Sequence, residues 1–123
     1  MAGSAMVFTE TTFGSVKKIV AAWTSDSVTG AVSGTTTFPY DGAIIGLTTI
    51  PGTVGDAPDD NYGVTITDVG GHDVLLGAGL LRDTANTEHV AGTSLAGVAG
   101  SKLTVSVAAA GASKKGTVIV YVR

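Results

Sequence analysis

DDNYGVTITDVGGHDVLL, residues 59–76, decides the fold class. Its head is an Asp-rich turn. From Tyr62 to Thr67 apolar and polar residues alternate, which puts Tyr62, Val64 and Ile66 on one face and reads as a half-buried strand. Asp68 to Asp73 then turns the chain through the pair Gly70-Gly71, and Val74 to Leu76 returns apolar residues suited to a brief pairing. A period of two, broken by Gly and Asp within six residues, excludes a helix here.

The same grammar runs outward in both directions. Toward the C-terminus, Thr87 to Val90 is a short strand, and Lys102 to Val107 sets Leu103, Val105 and Val107 on one face. Ala108 to Gly116 is a loop, and Thr117 to Val122 is a strand that is apolar on both faces, which places it centrally or against a partner. Toward the N-terminus, Pro51 to Asp60 is a loop and Ala43 to Ile50 an apolar strand. Tyr40-Asp41-Gly42 reads as a turn, Ala31 to Phe38 as a Thr-rich strand, and Ser25 to Gly30 as a turn. Val16 to Trp23 alternates with Ile19 and Trp23 toward the core, and Met6 to Thr12 is a first strand whose start, residues 1–8, is read as an extended arm. Strand signals at this spacing, with no helical period capped at both ends, predict an all-β fold. The expectation is a single antiparallel β-sandwich, jelly-roll-like, over residues 1–123.

Composition bounds the function. Hydrophobic residues make up 44% of the chain but aromatics only 6%, so the core is built from small side chains and buries little area each. Eighteen glycines add to the entropy lost on folding, so a modestly stable monomer that gains stability from oligomer contacts is expected. The formal net charge of −3 and the pI near 5.0 argue against nucleic-acid binding. Cysteine is absent, which removes disulfides and thiolate metal sites. The first residues carry no basic and apolar leader pattern, and no run reaches the ~18 apolar residues of a membrane helix. The chain is therefore expected to stay in the compartment where it is made, with no membrane partner.

Chemistry-bearing residues are few. Asp56, Asp59 and Asp60 are the weak candidates for a cation, since calcium takes several oxygens from a compact loop; the spacing is not that of an EF-hand, and Asp in such loops ordinarily bonds the local backbone. His72 and His89 are the two histidines, and Ser94 with Asp73 completes a triad on paper only, with no nucleophile-elbow sequence. Gly70-Gly71 and Gly77 with Gly79 lack the following helix and lysine of a phosphate loop. No catalytic residue, cofactor or metal is assigned, and an enzyme is not expected. Trp23, Tyr40, Tyr62 and Tyr121 can form a sugar-stacking platform or supply the core's largest pieces, the second being the ordinary role. Leu75, Leu76, Leu80 and Leu81 lie in a glycine-rich loop, either folded over the sandwich end or presented to a partner. Met6 and Phe8 in the arm are the other expected partner contacts.

DNYGVTITDVGGHDVLLGAG, then RDTANTEHV, then SKLTVSVAAAGASKKGTVIVYVR resemble segments of small tailed-bacteriophage virion proteins of the capsid cement or decoration type. The resemblance covers Thr48 to Arg123 well and the first third loosely, and its motifs mark a fold rather than an active site. It implies an oligomeric β-sandwich, a dimer or trimer, on the outside of the head. Such a protein is assembled in the host cytoplasm and binds the major capsid protein to stabilise the shell. Two alternatives remain open: a tail, head–tail junction or fibre β-module of the virion, or a carbohydrate-binding module that would expose Tyr40 or Tyr62.

Overall fold

The computed structural model describes residues 5–53, 55–91 and 97–123, with the side chains of residue 91 and residues 97–100 left aside. Nine strands are described: β1 (Ala5–Phe13), β2 (Val16–Thr24), β3 (Val32–Thr35), β4 (Tyr40–Pro51), β5 (Gly63–Thr67), β6 (Glu88–Ala91), β7 (Gly97–Ser101), β8 (Thr104–Ala108) and β9 (Lys115–Val122). They form two antiparallel sheets packed as a β-sandwich. The larger runs β1-β2-β9-β4-β6 and the smaller β3-β8-β5. The far edge of the long strand β4 is shared: β7 pairs with Tyr40 to Ala43 and β6 with Gly46 to Thr49. Nothing in this order singles out the jelly-roll variant of the sandwich.

Local sequence explains the elements. β1 and β2 form a hairpin closed by Gly14-Ser15, with Phe13 opposite Val16 and Gly14 at φ 59°, the positive angle that a two-residue hairpin turn asks of its first central residue. Alternation in the strands sorts the side chains. Ile19, Ala21 and Trp23 of β2 and Val118, Val120 and Val122 of β9 are buried, and they face Val64 and Ile66 of β5 and Val105 and Val107 of β8. Each fully buried Val, Leu or Ile contributes roughly 1.5–3 kcal/mol relative to exposure. The Trp23 and Tyr62 rings meet across the sandwich at 5.7 Å and 52°. Trp23 needs space on the neighbouring strand, and Gly116, opposite it in register, provides that: a Cβ there would stand 2.5 Å from the indole Cζ2.

Three expectations change. The segment read as an arm, residues 1–8, is strand from Ala5 onward, with Met6 and Phe8 half-buried against the core; residues 1–4 lie outside the described residues. Tyr40-Asp41-Gly42 is the start of β4, not a turn, and the strand expected over Ala31 to Phe38 is only Val32–Thr35. Gly42, at φ 123°, serves close approach, because a Cβ would lie 2.1 Å from the Arg123 carbonyl oxygen. The expected central position of the last strand holds, with β9 between β2 and β4.

Candidate functional site: the leucine loop

Residues 74–82 close over the free edge of β5. Val74 N–H donates to Ile66 O (2.7 Å), Val64 N–H to Gly79 O (2.8 Å) and Arg82 N–H to Tyr62 O (2.8 Å), so the loop supplies the pairing that an exposed edge would otherwise lack. Gly79 allows this, since a Cβ would stand 2.2 Å from Val64 O. The loop is organised by Asp73. One carboxylate oxygen accepts from Ile66 N–H (3.1 Å) and Leu75 N–H (3.0 Å), the other from Gly77 N–H (3.0 Å). Arg82 anchors the far end: its Nε donates to Leu80 O (3.1 Å) and its guanidinium lies 3.5 Å from Glu88. Glu88 in turn accepts from Asp83 N–H (2.8 Å), and hydrogen bonds from Ala85 N–H and then Asn86 hold the Asp83 carboxyl below its ordinary value.

Within this frame the four leucines divide. Leu75 is fully buried in the core, so its expected partner contact is corrected to a packing role. Leu76, Leu80 and Leu81 are 63%, 47% and 69% exposed. Leu76 and Leu81 also sit at φ 51° and 58°, in the left-handed region that a residue with a bulky side chain enters only at a cost. The loop therefore holds three apolar side chains outward, two of them at backbone angles their type disfavours. The brief pairing expected of Val74 to Leu76 is made by Val74 on Ile66, and residues 74–76 otherwise form turn.

The other expected site residues fall into structural positions. Among the described residues, no three His, Cys, Asp or Glu side chains gather closely enough to hold a metal ion. Asp56 links its backbone to Thr53 and Lys115, Asp59 donates N–H to Ala110 O (2.8 Å), and the Asp60 carboxylate accepts from Thr84 N–H (3.4 Å). The Thr84 hydroxyl donates to Pro58 O, closing the same loop. His72 is exposed beside Asp68 (3.4 Å), and His89 Nδ1 bonds the Thr48 hydroxyl (2.8 Å). Ser94 lies outside the described residues.

Tyr40 and Tyr62 are buried, so neither presents a ring face to a sugar. Tyr62 has no hydrogen-bond partner for its hydroxyl among the described residues; burial, opposed by the nearby Thr49 hydroxyl, raises its pKa.

Sequence reasoning missed Glu10. It points inward from β1 and accepts from Thr37 N–H (2.9 Å), Phe38 N–H (3.2 Å) and the Tyr40 hydroxyl (2.7 Å), tying β1 to the β3–β4 connection. Burial opposes its charge, but these bonds outweigh burial and hold its carboxyl below the ordinary value, while burial and the bond to Glu10 push the Tyr40 hydroxyl upward. A lone inward-facing carboxylate in an apolar-alternating strand was the available signal.

No protein-family model, curated protein or solved structure matches this chain.

Proposed function

We propose that the chain is a structural protein of a tailed-bacteriophage virion, a capsid cement protein that binds the outer surface of the major capsid protein shell and stabilises the head. The observation that carries this reading is the leucine loop: Leu76, Leu80 and Leu81 stand exposed on a loop that Asp73 and Arg82 hold in place, two of them at left-handed backbone angles. Strain of that kind persists where the surrounding structure over-determines it and where it serves a contact. A preformed apolar knob loses little freedom on docking, which favours binding to a repeated lattice. The net charge of −3 suits a protein that faces solvent rather than packaged DNA. The segment resemblance to cement proteins supports the same reading, with the protein outside the capsid as a homo-oligomer.

The test is co-sedimentation of the purified chain with heads that lack it. Wild type should pellet with the heads and raise their rupture temperature. A Leu80→Ser/Leu81→Ser variant should keep its own melting curve and bind at least ~10-fold more weakly, as loss of a central apolar contact does. Failure of the wild type to bind heads, or equal binding by the variant, would sink the reading.

A further inference from the structure

The two outer faces of the sandwich are built from the same kind of strand but from different side chains. Pairing register aligns Ser33, Ser106 and Thr65 in one row across the small sheet and Thr35, Thr104 and Thr67 in the next. Both rows alternate with buried valines and isoleucines, so their side chains toward water are all hydroxyls; the row beyond them, Gly63 and Ala108, carries no large side chain. Across the large sheet, Val7 aligns with Ala22, Thr117 and Ile50, and the next row is Thr9, Val20, Ile119 and Thr48. In the third row Thr11, Lys18 and Tyr121 face the same way; on β6, His89 extends the second row beside Thr48, and Lys18 and His89 are the two side chains of the three rows that can carry a charge, both of them cationic. Ile119 and Tyr121 point away from the core because Val118, Val120 and Val122 on the same strand are buried. Val7 and Phe13 are 66% and 60% exposed at the β1 end of this face, and Val20, Ile50, Ile119 and Tyr121 are half-buried. The small sheet acts as an internal control: its two rows carry hydroxyl side chains alone, whereas on the large sheet Val7, Val20, Ile50, Ile119 and Tyr121 stand among the threonines.

We infer that the outer face of the large sheet is the interface with a second copy of this chain, packed face to face across a twofold axis near Val20 and Ile119. Area favours that occupant. Five strands at ~4.8 Å and about seven residues at ~3.3 Å give a projected patch on the order of 550 Å². A corrugated side-chain surface exceeds its projection, which approaches the ~800 Å² per partner of a specific interface. Charge favours it as well: a nearly neutral face with no carboxylate in these rows asks for a partner of the same character, and an isologous contact provides one. The packing repeats what the fold does inside, with sheets ~10 Å apart and strands nearly aligned.

The test needs no capsid shell, so its outcome is separate from that of the cement reading. In analytical ultracentrifugation the wild type should sediment at twice the chain mass of 12.1 kDa. Ile119→Lys should weaken self-association at least ~10-fold, whereas Ser106→Lys on the opposite face should leave it unchanged. Because the chain has no cysteine, single Ala22→Cys and Ser33→Cys variants carry one spin label each without disturbing the core. The dimer places the Ala22 labels across the ~10 Å interface and the Ser33 labels roughly 30 Å apart or more, three sheet spacings away. A wild type that stays monomeric at several hundred micromolar overturns the inference, as does a dimer with close Ser33 labels and distant Ala22 labels.

Discussion

Tyr62 and Glu10 are buried or half-buried polar residues with opposite fates. Among the described residues the Tyr62 hydroxyl is enclosed with no hydrogen bond of good geometry, Thr49 being the nearest hydroxyl, so it bears a desolvation cost that is poorly offset. Tyr62→Phe keeps the ring against Trp23 and removes that cost. Thermal melting should show Tm unchanged or raised, and a drop of several degrees would mean that the hydroxyl is hydrogen-bonded in the folded protein. Glu10 accepts three hydrogen bonds, and its folded-state pKa lies below the ordinary value of 4.5. A depressed carboxyl gives stability that is full above its unfolded pKa and is lost as pH falls through the folded one. Tm of the wild type should therefore decline as pH drops below about 4.5; Asp26, whose carboxyl is lowered by hydrogen bonds from the Thr29 and Val28 N–H groups, and Asp83 extend the decline to lower pH. Glu10→Gln should be less stable at neutral pH by about 1–2 kcal/mol and show a shallower acid dependence. An acid profile as steep as that of the wild type would contradict the role given to Glu10.

At the scale of elements, β1 belongs to the sandwich and Gly34 is what lets it close. A Cβ at Gly34 would meet Phe8 Cε2 at 2.9 Å and Met6 Cβ at 3.2 Å. Gly34→Val should force both side chains off the core and cost about 2–3 kcal/mol, read as a lower denaturant midpoint with the slope unchanged. No loss of stability would mean that Met6 and Phe8 do not pack there. The leucine loop carries a prediction of opposite sign. Leu76→Asn replaces a strained left-handed residue by one that tolerates that angle, so the free protein should gain up to about 1 kcal/mol while shell binding weakens. If stability and shell binding both stay unchanged, the loop is not the contact.

The strands with clean alternation, β2, β5 and β8, are legible from residue order, because one buried face leaves a period of two, and β9 is legible as a short run apolar on both faces. β7 was not: Gly97 to Ser101 carries too few large side chains to show a period. The start of β4 was misread because Asp41-Gly42 resembles a hairpin turn, whereas Gly42 is there for the passing Arg123 carbonyl, a long-range contact that local sequence does not encode. Of the leucine loop, sequence identified the segment but not which leucines face out, since that depends on Asp73 and on pairing with β5.

For the whole molecule, the core is broad and built mostly of Val, Ile and Leu with three buried aromatics, and its two outer faces differ in chemistry. Such a domain gains stability from whatever covers its apolar surface, by mass action. Its Tm should rise with protein concentration if the large-sheet face self-associates, and it should rise again on heads. A concentration-independent Tm would remove the first of these two sources. The central claim is that this chain is a component of the head shell. For the proposed function the most direct measurement is its copy number and location on purified tailed-phage virions, by quantitative mass spectrometry of separated heads and tails. The account predicts a copy number comparable with that of the major capsid protein, confined to heads. Absence from heads, or a few copies on tails alone, would contradict it.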